Sequence, residues 1–77
     1  MKLTCAKPDT LYSVTSVSGD GPQYRRLLDM GFCPGSEVYV AGTAPFGGTV
    51  LVSLRGYSVA LRESAADIIN VEPCHGL

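Results

Sequence analysis

The chain has 77 residues, enough for one domain spanning residues 1–77 and too few for two. Six Lys/Arg stand against seven Asp/Glu, a formal net charge of −1. The basic excess that phosphate-backbone binding draws on is therefore missing, and nucleic acid is not an expected partner. A domain this small buries only roughly 60–65% of the surface its unfolded chain exposes, which leaves little room for a deep substrate cleft and argues against an enzyme.

The N-terminal stretch MKLTCAKPDT has no apolar core of signal-peptide length. No apolar run reaches the ~18–20 residues that cross a bilayer. A cytoplasmic location without direct membrane insertion is expected. Any membrane role would run through a partner, with the chain peripheral to the membrane on its cytosolic side. Core structure is predicted over about residues 8–72, with loose termini.

Leu11–Val17 reads as a strand, Tyr12 and Val14 alternating against Ser13 and Thr15. Ser18–Pro22 is a turn into a helix, with Asp20 or Gly21 as cap and Pro22 at the first helical position. Gln23–Met30 is the helix: Tyr24, Leu27 and Leu28 share one face at i, i+3 and i+4. Gly31 can end it in the left-handed conformation, and Pro34-Gly35 turns the chain onward. Glu37–Ala44 alternates again, with Val38 and Val40 on one face. Ala44–Gly48 is a loop. Thr49–Leu54 and Tyr57–Leu61 form a hairpin about Arg55-Gly56, with Val50, Val52, Leu54, Tyr57, Val59 and Leu61 inward. Arg62–Ala66 is one helical turn, Asp67–Glu72 a last strand, and Pro73–Leu77 a tail.

The fold class is therefore mainly β, with about five short strands and one short helix between strands 1 and 2. Five antiparallel strands must close or expose their edges, and the helical turn before the last strand favours an SH3-like barrel over an OB-fold. A half-open apolar barrel mouth would also permit self-association.

The three cysteines are separated by 28 and 41 residues, which matches no zinc pattern. The default reading is three separate thiols and no cofactor. An alternative is a small sensor or carrier of Fe²⁺ or Zn²⁺, with Cys5, Cys74 and His75 as donors. Cys74 and His75 are adjacent, so converging on one ion needs a mobile backbone. A catalytic nucleophile also needs a base and an orienting third group. The single His in the tail supplies neither, and the chain carries no phosphate-binding loop.

The run RRLLDMGFCPGSEVYV, followed by APFGGTVLVSLRGYSVALRESAADIINVE, resembles the FeoA family. The match is carried by Arg26, Leu28, Asp29, Met30, Gly31, Phe32 and Pro34-Gly35, and then by Ala44–Gly47, Arg55-Gly56, Leu61-Arg62, Ala65 or Ala66, and Ile69. It covers about residues 8–72. The resemblance implies an SH3-like barrel, a fold it shares with the C-terminal domain of iron-dependent repressors. It also implies a non-enzymatic role in ferrous iron transport: docking on, and modulating, the membrane transporter FeoB, which carries a cytosolic GTP-binding domain. Many members have Asp-Pro after the loop glycine where this chain has Gly48-Thr49.

Arg, Met and aromatic residues are enriched in interfaces. Arg25, Arg26, Met30 and Phe32 on and after the helix are thus candidate partner-binding residues, joined by Pro45 and Phe46 at the loop tip and by Arg62. Leu27, Leu28 and Asp29 read as structural. Tyr12, Tyr39 and Tyr57 could line an aromatic groove of the kind SH3 barrels use, although strand tyrosines are more often half-buried packing residues.

Overall fold

The computed structural model of the chain describes residues 1–43 and 47–74. Five antiparallel strands form one sheet in the order β4-β3-β2-β1-β5. The elements are β1 (Thr10–Val17), α1 (Pro22–Met30), β2 (Glu37–Thr43), β3 (Thr49–Leu54), β4 (Tyr57–Arg62), α2 (Glu63–Ala66) and β5 (Ile69–Pro73). The protein is thus a small SH3-like barrel with one helix between its first two strands. The sheet curls where its register shifts, between Val14 and Ser16 in β1 and between Val40 and Gly42 in β2. Val14 stays opposite Val71 in the β5 ladder, while on its other side it pairs with the turn into β2: its N–H donates to the Ser36 carbonyl and its carbonyl accepts from the Gly35 N–H, both at 2.8 Å.

The inner face follows the period-2 pattern. Tyr12, Val14, Val38, Val40, Val50, Val52, Leu54, Leu61, Ile69 and Val71 are all buried there. Tyr57 departs from the expectation of burial. It stands opposite Leu54, and so on the same face, but at the barrel rim it remains 42% exposed. Its hydroxyl donates to the Met30 carbonyl, which ties β4 to the end of α1. Arg55 and Gly56 both have positive φ, 50° and 83°, as a two-residue hairpin turn matched to strand twist requires.

The end of α1 is built by Gly31. Its φ is 112°, and its N–H bonds to Leu28 while the Phe32 N–H reaches back to the Leu27 carbonyl at 3.1 Å. This paired arrangement satisfies two helix-end carbonyls and turns the residue after the glycine back onto the helix. Phe32 is therefore thrown into the core beside Leu27, and its exposure is zero. Phe32 is thereby corrected from a surface candidate to a core residue. A Cβ at position 31 would meet Arg55 Cδ, Arg55 Nε and Leu54 Cδ1, each at 3.3 Å. We expect Gly31→Ala to lower stability by about 1–3 kcal/mol, measurable as a drop in urea midpoint.

The N-terminus is not loose. Leu3 is buried to 1% exposure. The Met1 ammonium donates to the Val71 carbonyl at 3.0 Å, and Lys2 forms an isolated bridge with Asn70. Lys2 also pairs with Asp67 at 3.5 Å, an exposed contact of little energetic weight. The Lys7 N–H donates to the Tyr12 hydroxyl at 2.9 Å. The first residues thus cover the β5 side of the barrel, and the packed core begins at Leu3 rather than near residue 8. At the other end β5 runs to Pro73, and the Cys74 N–H donates to the Leu11 carbonyl at 3.0 Å. The last strand begins at Ile69, two residues later than expected, because Asp67 still holds helical geometry as the cap of α2.

Candidate docking groove

A groove of about 610 Å³ runs between α1 and β4, closed at one end by α2. Its apolar lining includes Leu27, Met30, Val59, Leu61 and Ala65. Leu27, Leu61 and Ala65 are buried in the core and form the floor. Met30 and Val59 are half-buried and pack against the same core. Arg26 and Met30 are four residues apart and so share one face of α1. Arg62 enters from the end of β4, where it also serves as the N-cap of α2.

Three of the sequence candidates, Arg26, Met30 and Arg62, thus line one surface although they lie up to 36 positions apart in the chain. Among the described residues that line it, Arg26 and Arg62 are the only ionisable ones and none is a carboxylate. Both arginines are exposed, and among the described residues neither enters an ion pair; Lys2 and Asp67 form the one found there. Arg55 lies against Gly31 at the Met30 end of the helix. Arg25 is exposed on α1 but lies outside the groove. Pro45 and Phe46 lie outside the described residues. Sequence reasoning missed Val59, Ala60 and Ala65 as groove residues. The alternation of β4 marks Val59 as inward, but that all three border a groove depends on packing against α1, which no local pattern shows.

The three tyrosines do not form an aromatic groove. Tyr12 is buried at 2% exposure. Tyr39 donates to Asp9 at 2.6 Å, a bond that together with burial and the Asp9 charge raises its pKa above the ordinary phenol value. Tyr57 is committed to Met30.

The thiols stay apart in role. Cys5 is exposed in the 3₁₀ turn Leu3–Cys5, and Cys33 donates weakly to the Leu28 carbonyl at 3.7 Å. Cys74 stands 4.0 Å from Glu37 Oε2. Its partial burial, then the charges of Glu37 and Glu72, raise its pKa above the ordinary thiol value. Among the described residues, no group of three or more His, Cys, Asp or Glu is placed to hold a metal ion. His75 lies outside those residues. No helix among them is long and apolar enough to cross a membrane.

Fold and groove together define a small SH3-like barrel with a groove between its helix and its fourth strand. The chain matches the FeoA domain family over residues 1–73, and it belongs to that family. Solved structures agree. A FeoA-like protein from Clostridium acetobutylicum is 32% identical over 100% of this chain and 90% of that one, with a TM-score of 0.89. The FeoA protein of Chlorobium tepidum is 33% identical over 99% of this chain and 72% of that one, with a TM-score of 0.88. FeoA of Stenotrophomonas maltophilia is 32% identical over 94% of this chain and 89% of that one, with a TM-score of 0.82. It was solved in complex with zinc and described as a prokaryotic SH3 domain protein and a candidate ferrous iron transport activating factor.

Proposed function

We propose that this chain is a non-enzymatic cytoplasmic module of ferrous iron transport. It docks through the α1–β4 groove on the cytosolic part of an FeoB-like membrane transporter and modulates transport or nucleotide turnover there. The carrying observation is the groove itself. An apolar floor with a half-buried Met30 is flanked by two arginines, and no carboxylate lies among its lining residues. Protein hot spots have this anatomy, with an apolar centre excluding water and Arg at its margin. Family membership and the transport role described for the Stenotrophomonas relative supply the process.

Met30→Glu tests the reading. A carboxylate at position 30 would sit one turn from Arg26, occupy the guanidinium intended for the partner and wet the apolar centre. The variant is expected to lose at least about tenfold in affinity for membranes carrying the transporter, and to lose its effect on iron uptake, with an unchanged circular dichroism spectrum. A folded Met30→Glu protein that binds and acts as wild type would remove the groove from the function.

A further inference from the structure

β4 is an edge strand: among the described residues it pairs with β3 and with no other strand of the sheet. One hydrogen bond tells which of its main-chain groups face the open side. The Glu63 N–H donates to the Gly48 carbonyl at 2.9 Å, just beyond the Thr49–Arg62 pair that ends the β3–β4 register. Hydrogen-bonded and non-bonded pairs alternate along an antiparallel ladder. Counting back from Gly48–Glu63, the bonded pairs are Val50–Leu61, Val52–Val59 and Leu54–Tyr57, and the last closes the two-residue hairpin as it should. Ser58 and Ala60 therefore turn both N–H and C=O away from β3, and Arg62 turns its N–H the same way. Among the described residues, none of these groups has a hydrogen-bond partner outside its own strand or helix.

Natural edges are commonly protected by charge, proline, a bulge or a covering element. β4 reads YSVALR, with one charge at its far end and no proline, and its pairing with β3 runs without a bulge. Beside it lies the groove rather than a covering strand, and Ala60 and Arg62 belong to both. An added strand would send alternate side chains toward the apolar floor of Leu27, Val59 and Leu61. Among the described residues the charges lining the groove are Arg26 and Arg62, so acidic side chains complement the site. A proline-rich segment lacks the N–H groups such pairing requires.

The geometry points to the open edge of β4 as a strand-addition site for an extended segment of the partner, alternating aliphatic and acidic residues. This rests on docking through the α1–β4 groove and specifies its mode: main-chain pairing supplies affinity, and the groove and arginines supply selectivity.

The probe is a fluorescein-labelled heptapeptide alternating Glu and Val, titrated into the isotopically labelled full chain. On saturation, amide exchange at Ser58, Ala60 and Arg62 is expected to slow markedly relative to the free protein. Ala60→Pro removes one outward N–H while sparing the β3 ladder, as edge positions allow, and should weaken binding about tenfold. A Lys-for-Glu peptide should bind at least about tenfold more weakly. Two peptides N-methylated on opposite alternate amides provide a readout that needs no protein variant: one should bind like the parent and the other should fail. Absence of peptide binding, unchanged exchange at the three amides, or equal binding by both methylated peptides overturns strand addition. If Ala60→Pro still binds the transporter while Met30→Glu does not, the groove docks a folded surface; strand addition is then overturned and the docking reading stands.

Discussion

Phe32→Ala is expected to lower the stability of this protein by about 3–5 kcal/mol, the largest effect of any single side chain discussed. Phe32 is the largest fully buried side chain in the core. Removing its ring loses the transfer free energy and also leaves a cavity, because the surrounding backbone is fixed by the helix-end motif at Gly31 and the turn into β2. Native domains have about 5–15 kcal/mol in total, and one this size lies toward the low end. The variant should therefore melt on the order of 20 °C below wild type, with a reduced urea midpoint and an unchanged m-value. Phe32→Leu keeps most of the volume and should lose clearly less. A fall in stability no larger than that of an exposed substitution such as Arg25→Ala would contradict the burial of Phe32. The result also has a functional consequence. Loss of partner binding in Phe32→Ala would report unfolding and say nothing about contact, so position 32 cannot serve as a probe of the interface.

The different fates of Phe32 and Met30 show what could be read in the sequence and what could not. Both flank Gly31 and both are apolar, so composition gives each the same claim to a surface. The helix-end geometry separates them. The residue after the glycine is returned to the core, while Met30 stays on the helix face beside Arg26. The stop signal itself, Gly31 followed by Pro34-Gly35, was local and legible, as were the period-2 strands and the Arg55-Gly56 hairpin. The N-terminal cover was not. Leu3 is buried by a segment that meets its partners only across the whole chain, with the Met1 ammonium on Val71, 70 positions away. Nothing in MKLTCAK marks it as packed. The groove was legible in part. Arg26, Met30 and Arg62 stood out by residue type, but their adjacency arises from α1 lying over β4, a tertiary fact. The same fact excludes Arg25, which one helical step of 100° turns away from Arg26 and the groove.

The double reversal Arg26→Glu with Arg62→Glu should have the second large effect, on binding rather than stability. Both side chains are exposed and unpaired among the described residues, so their replacement should change stability by no more than about 0.5 kcal/mol. The groove would change from two positive charges to two negative ones. Against an acidic partner segment, attraction becomes repulsion at both ends, and affinity at low salt should fall on the order of a hundredfold. Because the charges are solvent-exposed, the loss should be strongly salt-dependent. At about 1 M ionic strength, where the Debye length is about 3 Å, most of it should disappear. The loss caused by Met30→Glu combines lost apolar burial with a neutralised Arg26, and its apolar part should persist at high salt. The two perturbations should also differ kinetically, with charge reversal slowing association and damage to the apolar centre speeding dissociation. Binding that ignores the double reversal at low salt would show that the arginines are merely solvated. A double reversal that strengthens binding would instead assign the groove a basic partner.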